Sequence, residues 1–260
     1  QKFISLALQE GPHHAPQQSA LSATLNEGDY ILNGTKLMVL DAVSAHTFIV
    51  IARTSGTPGE EQGLSAFLLD AGTAGLTVER RSLVDSRSAG ALVCDNVRVP
   101  AANLLGAPGS AWVGLTRALD IANIGLASEL LGVSTEVFER TIAYLQERKQ
   151  FGRVIGSFQG LQHRAAELFA ELELARSIVL KALHAIDDGD PALSLIASAA
   201  KAKLCEVAQR ATNEAIQMHG GIGMTDEYEI GFFIKRARVV QHTFGDYNYH
   251  LDRFAQCSGF

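Results

Sequence analysis

The chain has 260 residues, with 22 basic against 28 acidic side chains, a net charge of −6, 47% hydrophobic and 19% charged residues. That apolar share suits a soluble globular protein with one large core or two smaller ones and excludes disorder as the main theme. The negative balance offers nothing to nucleic acid, and no uninterrupted apolar run of about 18 residues or more marks a membrane span. Cys94, Cys205 and Cys257 are odd in number, widely spaced and without metal-ligand spacing. They read as reduced thiols of a cytoplasmic protein, with neither disulfide nor zinc site expected.

The chain opens QKFISLALQE, without an initiator Met and without the basic head and apolar middle of a signal peptide. Up to about residue 105 the pattern is short and alternating. Runs at 19–25, 30–36, 46–53, 64–70, 76–81 and 91–99 are separated by Gly, Pro, Asp and Asn, which predicts strands. Residues 1–106 are therefore expected to form an antiparallel β domain of barrel or sandwich type. Residues 99–109 read as a linker, because Pro100 and Pro108 resist regular structure while Gly106 and Gly109 punctuate it.

From Ser110 the apolar period becomes helical. Helices are predicted over 112–150, 156–187, 191–219 and 226–255, with Asp190 as a cap and Pro191 as a first helical residue. Four long helices with brief connections make residues 107–260 an up-and-down four-helix bundle, and the whole an α+β protein.

Two segments of the helical half carry chemistry. The first, QERKQFGRVIGSFQGLQ at 146–162, sets Arg148 and Lys149 beside Phe151, Gly152 and three glutamines, Gln150, Gln159 and Gln162. Arginine meets phosphate in a rigid two-pronged geometry, a phenyl ring offers a face to adenine, and glutamine bonds neutral polar edges. The bland alternative is a solvated helix end followed by a core anchor. The second, QMHGGIGMT at 217–225, ends a helical pattern with Gly220, Gly221 and Gly223, which permit left-handed caps and close approach of backbone to phosphate oxygens. Alone it reads equally as a helix stop, and its spacing does not match the dinucleotide fingerprint.

In the order ERKQFG, FQGLQ, QMHGGIG the chain resembles the C-terminal part of the acyl-CoA dehydrogenase family. YILNGTK at 30–36, FIVIART at 48–54, DNVRVP at 95–100 and NLLG at 103–106 extend the resemblance over almost the whole chain. The resemblance implies FAD-dependent α,β-desaturation of an acyl-CoA thioester, in fatty acid or steroid side-chain catabolism, with electrons passed to an electron-transfer flavoprotein. It further implies a homo- or heterotetramer with FAD at a subunit interface. Arg148 is expected on the pyrophosphate, Gln150 and Phe151 beside the adenosine half and Leu161 as an apolar contact, with Gln217, Gly220 and Gly221 at the other end of the dinucleotide. Family members begin with a helical domain, and with no such block before residue 1 the sequence is expected to be either a fragment or an abbreviated relative whose missing wall comes from elsewhere.

Departures are as informative. Where the family usually has Lys-Thr-Trp-Ile-Thr this chain has Lys36-Leu37-Met38-Val39-Leu40, so Met38 can pack against a ring but Leu40 donates nothing. Where Gly-Ser-Asp is usual it has Glu10-Gly11-Pro12-His13-His14-Ala15-Pro16, whose histidines read as loop residues rather than metal ligands. Counting places the family's catalytic glutamate at Phe244, and the alternative site on the first bundle helix at Ala122; neither side chain accepts a proton. Asp246 is the candidate base within this chain, with a turn or cap residue as its plainer reading, and Asp120 is a remoter one. His250 reads as an anchor of the last helix more readily than as a proton-transfer group. Glu167, Glu171 and Glu173 read as a solvated face. Two functional classes stay open: a complete dehydrogenase, or a base-lacking subunit of a heteromeric one.

Overall fold

Alternation of apolar and polar residues in the first hundred positions becomes eight strands: β1 (Ile4–Ala7), β2 (Ser22–Asn26), β3 (Asp29–Leu40), β4 (Thr47–Arg53), β5 (Leu64–Asp70), β6 (Leu76–Ser82), β7 (Ser88–Pro100) and β8 (Leu104–Leu105). The computed structural model describes residues 2–260, which divide into two compact units, the first ending at Arg117 and the second beginning at Ala118. The strands form one sheet in the order β6-β7-β3-β2-β4-β5-β8, with β1 parallel to β4. Most pairs are antiparallel. β6 and β8 end the ladder without pairing to each other, so it is not a hydrogen-bonded closed barrel. Leu32, Phe48, Val50, Phe67, Leu92 and Val97 nevertheless meet in one core cluster, so the sheet curls around its apolar face.

Local chemistry explains the joints. Asn26 pairs with Asp29 across Glu27 and Gly28, both at positive φ (52° and 90°), the two-residue turn whose twist suits a hairpin. The Pro-rich linker is not wholly irregular, since β8 within it pairs with Ala66 and Phe67 of β5. Between Lys36 and Val39 the β3–β7 register slips, and Met38 sits in the left-handed region (φ 51°) as a bulge that leaves its side chain half exposed.

A polar knot ties the segment after β1 to β3. The Lys36 ammonium is wholly buried and donates to Glu10 Oε1 (2.6 Å), Ser19 Oγ (2.7 Å) and the Leu8 carbonyl (3.2 Å). Burial pushes Lys36 down to about 8 against the opposing pull of Glu10. Burial alone would raise Glu10, but Lys36 and the amides of Ala20 and Leu21 leave it below its ordinary value. His13, on the adjoining loop, is exposed, and no His/Cys/Asp/Glu cluster able to hold a metal occurs among the described residues.

The second half holds α1 (Ala111–Glu147), α2 (Gln159–Asp187), α3 (Leu193–His219), α4 (Ile230–His242) and α5 (Tyr247–Cys257). The expected fourth helix over 226–255 is thus broken at 243–246, where Phe244 and Gly245 both take positive φ (55° and 106°) and stop the helix. The first helix ends at Glu147, three residues before its expected end. The next residues form a hairpin of β9 (Lys149–Gln150) and β10 (Arg153–Val154), whose two-residue turn Phe151-Gly152 again has positive φ at both positions. α3 starts two residues beyond Pro191, with Asp190 Oδ1 accepting from the Ala192 amide at 2.8 Å.

α3 is the axis of the bundle, packing on α2, α4 and α5, and its small residues Ala197, Ala200, Ala208, Ala211 and Ala215 let those neighbours approach closely. The acids of α2 are not all a solvated face: Glu171 pairs with Lys203 of α3 (2.5 Å) and Glu167 with Arg210. By length and composition α1 is apolar enough to cross a membrane. Yet it buries Ile124, Ala127, Leu130 and Val137 in the bundle core and pairs Asp120 with Arg253 and Glu129 with Arg236.

Candidate functional site

The β9–β10 hairpin turns the first motif into a projecting arm. Phe151, expected either as a core anchor or as a ligand platform, is 90% exposed at the tip, with its ring 6.1 Å from that of Phe158 in an edge-on arrangement. Arg153 lies over the Phe158 ring at 4.0 Å. Arg148 is exposed at the base of the arm, and no carboxylate among the described residues pairs with it. Gln150 is exposed, bonding only the adjacent Lys149 carbonyl (2.7 Å). Leu161 is half-buried in the first turn of α2, its amide on the Phe158 carbonyl.

The second motif is the end of α3. Gly220 caps the helix at φ 65°, its amide reaching the carbonyls of Gln217 and Ile216, and the chain continues as a 3-10 turn from Gly220 to Met224. A Cβ added at Gly220 or Gly221 would meet nothing within 4 Å, so both present bare backbone to the outside. Gln217 is exposed as well.

Aromatic stacking joins the two segments. Tyr144, one helical turn before Arg148, stacks on His219 with ring centroids 4.2 Å apart, and Tyr228 closes on His219 at 5.1 Å. Tyr144 and Tyr228 also pack together at 6.3 Å. The Tyr144 hydroxyl donates to the His219 carbonyl at 3.4 Å, and His219 Nδ1 lies 2.7 Å from the Ala215 carbonyl. Burial pushes the His219 imidazole below its ordinary value, which favours a neutral ring. One end of the bundle thus carries an unpaired guanidinium, a bare phenyl ring and exposed glycine backbone together, a donor set fitted to phosphate and an aromatic base. Tyr144 and Tyr228 carried no signal in the sequence, since each lies at an ordinary helical or loop position.

The remaining candidates collect around the broken fourth helix. Asp246 is the N-cap of α5, its carboxylate accepting from the Tyr249 amide at 3.0 Å. It also edges a cleft of about 620 Å³ bounded by Cys205, Gln209 and Asn213 of α3 and Arg238, Gln241 and His242 of α4. Phe244 lies in the turn just before. His250 is wholly buried, with Nε2 3.1 Å from the Phe244 carbonyl. Asp120 is 2% exposed, held by Arg253 (2.5 Å) and Ser194 Oγ (2.6 Å). Ala122 is half-buried on α1 beside buried Asn123. Beneath the turn lies a residue without any sequence signal, Lys201, an ammonium sealed inside an alanine-rich helix.

A mainly antiparallel sheet unit followed by a helical bundle defines an α+β protein, and the exposed arm and glycine backbone at one bundle end are suited to a nucleotide. The chain belongs to the acyl-CoA dehydrogenase family: residues 9–97 match the model "Acyl-CoA dehydrogenase, middle domain" and residues 112–258 the model "Acyl-CoA dehydrogenase, C-terminal domain". It is 35% identical over 235 residues to the mitochondrial short/branched chain specific acyl-CoA dehydrogenase of Bos taurus, an alignment covering 89% of this chain and 54% of that one. The butyryl-CoA dehydrogenase structure from Megasphaera elsdenii superposes with a TM-score of 0.93 at 29% identity, covering 100% of this chain and 68% of that one. A structure described as the FAD complex of PigA gives a TM-score of 0.93 at 25% identity, covering 99% and 68%. The chain spans little more than half the length of the curated relatives it matches.

Proposed function

We propose that this chain forms the middle and C-terminal parts of an FAD-dependent acyl-CoA dehydrogenase, a cytoplasmic oxidoreductase acting on an acyl-CoA thioester with an electron-transfer flavoprotein as its acceptor. FAD, when bound, supplies the two-electron acceptor: loss of the α proton to a base and of the β hydride to the cofactor leaves an α,β double bond, and the electrons pass onward to the acceptor protein. The observation that supports the proposal is the Tyr144–His219 stack, which sets the helix end preceding Arg148 and the exposed Phe151 against the helix end preceding Gly220 and Gly221. Arg148 would hold pyrophosphate oxygens by charge-assisted bonds and Phe151 would give its exposed face to adenine, with Gln150 and Leu161 flanking. Gln217 and the glycine amides would hold the far side of the same dinucleotide. Arg148→Ala tests the placement. Flavin retained after gel filtration should fall at least about tenfold, as loss of one charged contact implies, while the thermal midpoint of the flavin-free protein stays put. Undiminished flavin content would remove Arg148 from the site.

A second reading, a base-lacking subunit of a heteromeric enzyme, is supported by the side chains at the positions expected to carry the base. Phe244 and Ala122 accept no proton, Asp246 caps α5, and Asp120 is bound to Arg253 and Ser194. The full-length protein, purified alone, separates the two readings. A yellow protein bleached by acyl-CoA supports the complete enzyme, whereas bleaching only after a partner chain is added supports the subunit.

A further inference from the structure

We infer that Lys201 is a positioning residue: its ammonium bonds the carbonyls on both sides of residue 244 and so holds that side chain and the first turn of α5 in one place. Lys201 lies in the middle of α3 and is wholly buried. Its Nζ donates to the Thr243 carbonyl at 2.7 Å, to the Gly245 carbonyl at 3.1 Å and to Asn123 Oδ1 of α1 at 3.5 Å. Three donors meet three oxygens, so the hydrogen-bonding capacity of the cation is spent on the turn and on the helix facing it. No carboxylate bonds to it among the described residues. A cation taken out of water keeps its charge only where such dipoles replace the lost hydration.

The turn needs that hold. Phe244 takes φ 55°, a region a bulky side chain enters only when its surroundings impose it. Gly245 follows at φ 106°, where an added Cβ would collide with Tyr249 and come within 2.8 Å of His250 Nε2. From the other side, His250 Nε2 lies 3.1 Å from the Phe244 carbonyl. The carbonyls of 243, 244 and 245 are thus bonded in succession by Lys201, His250 and Lys201. Charged or titratable groups facing the ammonium are Cys205 on α3 and Asp246 at the head of α5, with His250 across the turn. The functional weight of this arrangement rests on the reading of position 244 as the site of the family's base; Lys201 turns it into a rigid seat whose backbone geometry does not depend on the side chain it carries.

Hydrogen–deuterium exchange on the full-length protein, with neither flavin nor thioester present, tests the inference. Lys201→Met keeps the stem and removes the donors, and segments covering 243–250 should exchange at least about tenfold faster while those of α2 stay within about twofold, the pattern of local opening. A second readout would not respond to packing alone. In the parent, the carbonyl ¹³C resonances of Thr243 and Gly245 should titrate with the same midpoint as Lys201 ¹⁵Nζ, and this titration should vanish in Lys201→Met. Unchanged exchange at the turn in a folded variant, or carbonyls that ignore the ammonium, overturns the inference. Should Lys201→Met fail to fold, the parent titration decides alone. Neither readout involves the cofactor, so a rigid, co-titrating turn in a protein that never binds flavin would count against the proposed function only.

Discussion

Each unit hides one lysine and one thiol whose titrations oppose one another, and the balance gives stability an unusual pH profile. Lys36 in the sheet and Lys201 in the bundle are both pushed down by burial to about 8, from 10.5 in the unfolded chain. Between those values the unfolded chain binds a proton that the folded chain has released, so stability rises with pH. From pH 8 to 9 the gain integrates to about 1 kcal/mol per lysine. Cys94 and Cys205 are pushed up by burial to about 11 from 9, so the folded state holds protons the unfolded state loses, and stability falls as pH climbs above 8. That loss is well under about 1 kcal/mol per thiol from pH 8 to 9 but about 1 kcal/mol from 9 to 10, where it nearly cancels the lysine gain. A net stabilisation of less than about 1 kcal/mol per unit should therefore appear between pH 8 and 9 and then level off. Urea denaturation followed by circular dichroism at pH 8, 8.5 and 9 measures it, with Lys201→Met expected to turn the rise of the helical transition into a shallow fall, since Cys205 then acts alone. A stability that is flat or falling over this interval in the parent, or a rise that survives in Lys201→Met, refutes the reasoning.

Asp120→Asn should act on folding. Removing the partner of a mostly buried guanidinium costs about 3 kcal/mol, or a fall of about 6–12 °C in thermal midpoint, and an unchanged midpoint would release Asp120 for chemistry. Gly245→Ala should cost well over 1 kcal/mol in urea unfolding, because strain at positive φ adds to the collision with Tyr249, whereas Gly189→Ala, with open space around it, should cost only about 1 kcal/mol. Asp246→Asn should leave stability within about 0.5 kcal/mol, since asparagine caps as well as aspartate, and should leave turnover intact; a loss of turnover by orders of magnitude would make Asp246 the base after all.

The features legible in the sequence were those with a period or a punctuation. Alternation located six of the strands, and the 3.6-residue period located three helices to within a few residues. Positive-φ turns at non-glycine residues were not legible. Phe151 and Phe244 each interrupt an otherwise helical pattern, and nothing in a phenylalanine announces a left-handed backbone; only the following glycine hints at it. For that reason the periodic pattern runs three residues past the end of the first helix and continues unbroken through the 243–246 turn. Within the site, Arg148, Phe151 and the glycines stood out because their chemistry is unusual at those places. Lys201, Tyr144 and His219 act through partners 42, 75 and 75 residues away respectively, and separations of that length leave no mark on a local pattern.

The two groups of functional residues also differ in what their loss would do. Arg148, Gln150, Phe151 and Gln217 are exposed at one end of the bundle, and holding Phe151 in water forgoes about 1.5–3 kcal/mol of burial, a deficit that a bound ring or a partner protomer would recover. Substitutions there should change binding while leaving the fold alone, and flavin binding should raise the thermal midpoint by mass action. Lys201, His250, Gly245 and Asp120 are integral to the core around the 243–246 turn, so changing them alters folding and site geometry together. A variant of the arm that lost flavin without losing stability, beside a variant of the turn that lost both, would locate the division between ligand contact and scaffold at the boundary between exposed hairpin and buried turn.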